Sequence, residues 1–191
     1  MSNNKIFIDG VIFQIQRNRP AGISRVWFSL LKELSKSNLS DRVILLDRGN
    51  TLPNIEGFTT LPINEYVQNS FESDSLYLQN TIDTNGGGLF VSSYYTYPEN
   101  SPCIIMLYDL IPEAMSLDLN HPEWRAKQKA IDKSSAYFSI SNATKEDFFL
   151  HYPQHSHKQV TVIPLATSDN FKVPQPGELE LFKRTFSIKK P

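Results

Sequence analysis

Six short, nearly continuous apolar runs occur along the chain and predict β-strands. They cover residues 6–8, 43–46, 89–91, 103–107, 137–140 and 160–163. Strands covered by helices on both faces show such runs, whereas strands with one solvated face alternate apolar and polar residues. The pattern therefore predicts a sheet that is buried on both sides.

Helical periodicity appears between these runs. The clearest stripe starts at Ile23, with apolar residues three or four positions apart: Ile23, Val26, Trp27, Leu30, Leu31 and Leu34. Further helices are predicted over residues 74–82, over 121–134 with Asn120 as the cap and Pro122 in the first turn, and after Ser141. Alternating strands and helices predict an α/β fold with a doubly wound, mostly parallel, Rossmann-like sheet.

Composition narrows the class of protein. The chain has 191 residues, 40% of them hydrophobic, and 19 basic against 20 acidic residues for a net charge of −1. This balance is not that of a protein that coats nucleic acid, so we expect no nucleic-acid partner. The single cysteine, Cys103, lies in an apolar run and is expected to be a buried hydrophobe rather than a nucleophile. No apolar run is long enough to span a bilayer, and we expect a cytoplasmic protein.

The end of the chain changes character. Prolines and a glycine cluster at 174–177, and a short helix-like stretch follows at 178–186. Domain boundaries commonly fall in such segments. We therefore predict one domain over residues 1–172, and a linker with a helix over 173–191 that leads to a further, absent domain.

Residues that follow each strand are the candidates for chemistry, because open parallel sheets bind ligands at the carboxyl ends of their strands. The first such segment, 14–25, is polar and basic and ends at a helix start containing Gly22, Ser24 and Arg25. The helix amides and Arg25 favour an anion site, although ordinary surface arginines explain the pattern equally well. The segment lacks the GxGxxG motif, which argues against a nicotinamide cofactor despite Asp47 after the second strand.

Two further segments combine tyrosines, hydroxyls and carboxylates. Ser93 and Tyr94 lie in a tyrosine-rich stretch suited to stacking on and hydrogen-bonding sugars, with a packing loop as the alternative. Tyr108, Asp109 and Glu113 follow the most apolar strand, which we place at the centre of the sheet. We expect Tyr108 and Asp109 to line one crevice together with the tyrosine-rich stretch. Asp109 could instead cap a turn before the next proline.

Two other clusters carry less chemistry. Ser141 and Thr144 are candidate ligand contacts, but helix capping alone explains their residue types. Three histidines at 151, 155 and 157 suggest zinc, yet no cysteine or acid completes the set, so we expect a solvated loop and no metal.

Taken together, these segments resemble the N-terminal half of the GT-B type retaining glycosyltransferases, the large family called group one. The opening strand and glycine–helix start over 6–34 look like that family's beginning. Residues 107–113, read Leu-Tyr-Asp-Leu-Ile-Pro-Glu, look like its His-Asp-Leu-Ile-Pro segment. Residues 136–148 look like its serine-then-threonine segment, and 162–166 followed by Phe171 look like the strand that closes this half.

The resemblance implies two Rossmann-like domains with a cleft between them. The N-terminal domain receives a saccharide or lipid-linked acceptor, and the C-terminal domain binds the nucleotide-sugar donor and carries a paired-glutamate motif. Such enzymes retain configuration and usually use no metal, so no cofactor is expected. Asp109 would orient a hydroxyl, and Tyr108, which stands where the family often has histidine, would donate a hydrogen bond near the reacting centre.

The expected function is therefore one half of a hexosyltransferase in polysaccharide or cell-surface glycan assembly. Because the donor half is missing, we expect the isolated chain to be inactive. The alternative is a non-catalytic Rossmann-like module that binds a sugar, a nucleotide or a protein. Basic residues near the end, at 183, 184, 189 and 190, leave peripheral membrane association open, with a solvated face as the simpler explanation.

Overall fold

The structure is a computed structural model that describes residues 5–167, 172–175 and 177–188. Seven strands, all parallel to their neighbours, form one sheet in the order β3-β2-β1-β4-β5-β6-β7. They are β1 (Lys5–Asp9), β2 (Val43–Arg48), β3 (Thr59–Ile63), β4 (Gly88–Ser92), β5 (Cys103–Leu107), β6 (Ala136–Ser139) and β7 (Gln159–Val162). The predicted parallel α/β sheet is confirmed.

Helices cover both faces of this sheet. The α-helices of the described residues are α1 (Val11–Ile15), α2 (Gly22–Leu34), α3 (Phe71–Thr84), α4 (Ile111–Ala114), α5 (Pro122–Lys133), α6 (Asn142–His151) and α7 (Glu178–Thr185). Helix α7 has no buried residue. Trp27 and Leu31 of α2 pack on one face together with residues of α1. Residues of α3, α5 and α6 pack on the other, among them Leu78, Ile131 and Phe148. This arrangement is the doubly wound fold.

All six predicted strands are present, and the seventh, β3, was missed. Its sequence is Thr-Thr-Leu-Pro-Ile, which has no continuous apolar run, and most of its residues are exposed. It lies at one edge of the sheet; β7, at the other edge, was predicted because residues 160–163 form such a run. A proline is tolerated in β3 since an edge strand has unpaired backbone groups. We expected β5 to be the central strand, but the central strand is β4, and β5 lies beside it.

The predicted helices are present where we expected them, but some start or are capped at a different residue. Helix α3 begins at Phe71, earlier than the predicted residue 74, and Pro122 opens α5 as expected. The cap of α5 is His121, not Asn120. In α2, Trp27 and Leu31 are buried, whereas Leu30 of the predicted stripe is 36% exposed. Ser141 caps α6 by accepting from the Thr144 amide.

Three remaining expectations concern Cys103, the membrane and the chain end. Cys103 is buried, and burial raises the pKa of its thiol to about 12, in agreement with an inert residue. Within the described ranges, no helix has the length and apolar character that crossing a membrane requires. A helix, α7, is present in the predicted terminal segment. Phe171, Lys189 and Lys190 lie outside the described residues.

Candidate functional site

The strand order reverses between β1 and β4, and this point defines the crevice. Strands β2 and β3 lie on one side of β1, while β4 to β7 follow on the other. In open α/β sheets the loops at the carboxyl ends of such neighbouring strands diverge and leave room for a ligand. The loops after β1, β4 and β5 therefore form the candidate site.

A buried ion cluster lies beneath this crevice. The Arg48 guanidinium at the end of β2 donates to both Asp9 oxygens at 2.7 and 2.8 Å and to both Asp74 oxygens at 2.8 and 3.0 Å. Burial by itself would lower the pKa of Arg48, but attraction to Asp9 and Asp74 outweighs it and raises that pKa. Burial raises the pKa of Asp74 against the opposing effect of Arg48. The cluster ties β1, β2 and α3 together.

The tyrosine loop, defined as residues 93–97, is anchored to this cluster. The Thr96 hydroxyl donates to Asp9 Oδ2 at 2.7 Å, and the Thr96 amide donates to the Ser92 hydroxyl at 2.9 Å. Tyr95 adopts a φ of 50°, a left-handed conformation that is costly for a residue with a large side chain. Such strain persists where the surroundings enforce it, commonly at functional sites. The loop therefore holds Tyr94 and Tyr95 in a fixed position.

One cavity of about 240 Å³ brings several predicted residues together. We call it the tyrosine–aspartate cavity. Tyr94 and Tyr95 from the tyrosine loop, Tyr108 and Asp109 after β5, and Trp124 and Lys127 from α5 line it. It offers aromatic rings, a carboxylate and an ammonium group, the combination that suits a polyhydroxylated ligand.

Asp109 is exposed on the rim of this cavity. Its Oδ1 accepts a hydrogen bond from the Ile111 amide at 3.1 Å, which is the turn-capping role raised as the alternative. Capping uses one carboxylate oxygen. Within the described part of the chain, Oδ2 makes no hydrogen bond and can accept one from a ligand.

Tyr108 is placed differently from Asp109. Its ring is 8% exposed and belongs to the core beneath α2. Its hydroxyl oxygen accepts from the Trp27 indole N–H at 2.6 Å, and burial raises the pKa of the phenol. The predicted contact with a ligand would have to come from the hydroxyl hydrogen, since the oxygen already accepts from Trp27.

Glu113 is engaged within the protein. Lys127 Nζ donates to Glu113 Oε2 at 2.8 Å, and the Tyr152 hydroxyl donates to Oε1 at 2.7 Å. Lys127 Nζ also donates to the Asp109 carbonyl at 3.1 Å. Glu113 thus supports the cavity from behind by fixing Lys127, a role that the sequence did not indicate.

The start of α2 is partly occupied by its own chain. Gln16 Oε1 accepts from the amides of Ala21 and Ser24, and the Ser24 hydroxyl donates back to the Ala21 carbonyl. A Cβ on Gly22 would meet open space, so neither packing nor backbone conformation requires glycine there. Arg25 is exposed and lines a separate cavity of about 340 Å³ with Ser24. Of the α2 start, Ile23 lines the tyrosine–aspartate cavity, and Gly22, Ser24 and Arg25 do not.

The remaining candidates act locally. Ser93 accepts from the Ile12 amide at 3.1 Å and so fixes the start of α1 to the tyrosine loop. Ser141 caps α6, and the Thr144 hydroxyl bonds Ser141 at 3.0 Å. The expectation of a solvated histidine loop is wrong for His155, which is buried and forms a hydrogen bond with Asp132 at 3.0 Å. Among the described residues, no group of three metal-ligating side chains converges.

Sequence reasoning missed Lys127 and Trp124. Both lie on α5, a helix predicted from the sequence without any candidate ligand contact, and they reach the cavity because α5 follows the loop that carries Asp109. The one signal for a site on this helix was the position of Lys127 in line with its apolar residues. It did not identify a site, because a charged residue on a helix usually belongs to a solvated face.

Neither a comparison with models of known protein families nor one with curated proteins finds a match for this chain. The fold and the geometry of the crevice therefore carry the functional argument.

Proposed function

We propose that this chain is the acceptor-binding half of a retaining glycosyltransferase that acts in the cytoplasm on a saccharide or lipid-linked acceptor. The tyrosine–aspartate cavity carries the proposal. It lies beside the switch point of a parallel sheet and places a carboxylate and an ammonium group among four aromatic side chains. Its position agrees with the crevice where such sheets bind ligands.

The chemistry assigned to each residue follows from its contacts. Asp109 Oδ2 would accept a hydrogen bond from an acceptor hydroxyl, while Oδ1 stays on the Ile111 amide. Lys127 would donate to a second hydroxyl, since two of its three N–H groups are used by Glu113 and the Asp109 carbonyl. Tyr94 would offer its ring face to the sugar. The nucleotide sugar would be held mainly by a second domain, and the exposed Arg25, in the first turn of α2, would attract its phosphates.

A non-catalytic sugar-binding module is the second candidate. The observation that favours it is that Tyr108 and Glu113, two of the three polar groups after β5, are bonded within the protein. Both candidates predict sugar binding, and they differ in transfer. Sugar transfer in the presence of a donor-binding domain, lost in Asp109→Asn, would select the enzyme.

Saccharide binding tests what the two candidates share. We expect neutral methyl glycosides titrated into the ¹⁵N-labelled chain to shift the amide signals of the tyrosine loop and of residues 108–111. Asp109→Asn should weaken that binding about tenfold or more, because a hydrogen bond to a charged group contributes about 1.5–3 kcal/mol.

Asp118→Asn is the matched control. Asp118 is also exposed and also caps a turn two residues on, through the Asn120 amide at 3.0 Å, but it does not line the cavity. Its substitution should leave binding unchanged. Absence of binding across a panel of glycosides, or equal loss in both variants, would overturn the proposal.

A further inference from the structure

A second cavity lies on the other side of the two tyrosines. It has a volume of about 340 Å³, and Gln14, Tyr66, Gln68 and Asn69 supply its polar groups. Tyr94 and Tyr95 line both this cavity and the tyrosine–aspartate cavity. We call it the amide cavity. The tyrosine pair, with ring centroids 4.6 Å apart, is therefore a shared wall between two adjoining spaces.

Helix α5 continues from one cavity into the other. Pro122 and Ala126 line the amide cavity, while Trp124 and Lys127 line the tyrosine–aspartate cavity. The volume of the tyrosine–aspartate cavity, about 240 Å³, lies below the range of about 300–1,000 Å³ that ligand sites usually span, and that of the amide cavity, about 340 Å³, lies at its lower end. A ligand longer than one sugar unit, passing over the partly exposed tyrosine pair, would reach both.

The two cavities differ in charge. Every described residue that lines the amide cavity is uncharged, whereas the tyrosine–aspartate cavity carries Asp109 and Lys127. Carboxamides both donate and accept hydrogen bonds, as sugar hydroxyls do, and tyrosine rings offer stacking faces. The amide cavity therefore suits a neutral sugar unit better than a phosphate or a uronic acid.

Its polar groups divide into fixed and available ones. The Gln14 carboxamide donates to the Tyr66 carbonyl at 2.9 Å and accepts from the Tyr66 amide at 2.8 Å, which locks this wall to α1. The side-chain amides of Gln68 and Asn69 make no hydrogen bond with the described part of the chain. They are free to bind a ligand.

We propose that the amide cavity is a second subsite for a neutral sugar unit, so that the acceptor is an oligosaccharide whose successive units lie on either side of the Tyr94–Tyr95 pair. This inference rests on the proposed saccharide-binding function and extends it to the length of the substrate. Once the first unit is bound, the second binds at high effective concentration, so modest contacts increase affinity.

The test compares neutral methyl glycosides with the corresponding neutral disaccharides, titrated into the ¹⁵N-labelled chain. Disaccharides should bind about tenfold tighter and shift the amide signals of residues 66–69 as well as those of the tyrosine loop. Gln68→Ala should reduce this advantage about three- to tenfold and leave monosaccharide affinity unchanged. Gln154→Ala, an exposed glutamine at the amino edge of the sheet before β7, is the control and should change neither.

A second variant blocks the space instead of removing a polar group. Ala126→Leu narrows the amide cavity from a helix position that accepts leucine, and it should weaken disaccharides selectively. Equal affinity for mono- and disaccharides, or a disaccharide advantage that survives both variants, would overturn the second subsite while leaving the proposed function standing. If no saccharide binds, both proposals fail.

Discussion

Two buried cations support the candidate crevice from below, and they differ in how many of their N–H groups donate hydrogen bonds within the protein. Arg48 has no exposed side-chain surface, and Lys127 has 1%. Arg48 makes five hydrogen bonds, to Asp9, to Asp74 and to the Asn64 carbonyl, which uses every N–H that a guanidinium has. Lys127 donates two hydrogen bonds to described residues, and its ammonium group lies 5.9 Å from the centroid of the Tyr95 ring, which lines the same cavity.

Position reinforces this difference. The Arg48 cluster joins β1, β2 and α3, and Thr96 links it to the tyrosine loop. Lys127 itself lines the tyrosine–aspartate cavity. A saturated buried ion cluster has no capacity left for a ligand, whereas a cation with a remaining donor at a cavity wall can bind one. Burial and ion pairing alone therefore do not distinguish the two cations, whereas the number of hydrogen bonds that they donate does.

Removing the saturated cation should give the largest effect. Arg48→Met leaves Asp9 and Asp74 buried without their partner, and breaking a buried ion pair from one side typically costs about 3–5 kcal/mol. We expect a loss of this size in the free energy of unfolding, measured by urea denaturation with fluorescence detection.

Arg19→Met, on the exposed loop before α2, is the control and should change stability by less than about 0.5 kcal/mol. Folded Arg48→Met protein should still bind methyl glycosides. A loss of binding without a loss of stability would reverse the roles assigned to the two cations.

The fold could be predicted from the sequence much further than the site. Apolar runs revealed six strands, including the edge strand β7, whereas β3 escaped because its sequence, Thr-Thr-Leu-Pro-Ile, contains no such run. Asp109 and Tyr94 were found because they directly follow strands. Lys127 and the amide cavity were not, because helix α5 and the loop at 66–69 approach the crevice only through tertiary packing.

The candidate residues also show why the type of a residue does not reveal whether its polar groups can still bind a ligand. Tyr108, Glu113 and Ser93 carry the chemistry expected of a site, but Trp27, Lys127 with Tyr152, and the Ile12 amide engage them. Those partners are 14 to 81 positions away in the chain. A local pattern cannot show such distant partners.

Removing the unsaturated cation should affect both stability and binding. Lys127→Met leaves Glu113 buried without its cation, but the Tyr152 hydroxyl still donates to the carboxylate, so we expect a loss of about 2–3 kcal/mol. Saccharide affinity should fall about tenfold because a charged donor is lost. Lys129→Met, exposed two positions along the same helix, is the control for both measurements.

A double variant separates the two effects. In Lys127→Met with Glu113→Gln, the buried charge is removed together with its partner, and the Tyr152 hydroxyl can still donate to the glutamine oxygen. Replacing both members of a buried pair is often nearly neutral, so stability should largely recover. Affinity should stay low. Recovery of affinity along with stability would show that Lys127 only supports the cavity.

The smallest effect should come from substitution of Tyr108. This residue borders the same cavity as Lys127, but, like Arg48, it is bonded within the protein. Tyr108→Phe keeps the ring in the core and removes the acceptor of the buried Trp27 N–H, so we expect a loss of about 1–2 kcal/mol in unfolding free energy. Tyr77→Phe is the control, because the Tyr77 hydroxyl also accepts from an N–H, that of Asn64 at 3.0 Å, but at an exposed position where water can replace it. Its substitution should cost less than about 0.5 kcal/mol.

Saccharide affinity should remain within about twofold in Tyr108→Phe, since the hydroxyl oxygen is already used by Trp27. A tenfold loss of affinity would instead show that the Tyr108 hydroxyl hydrogen donates to the ligand, and it would move this residue from the supporting core into the binding site.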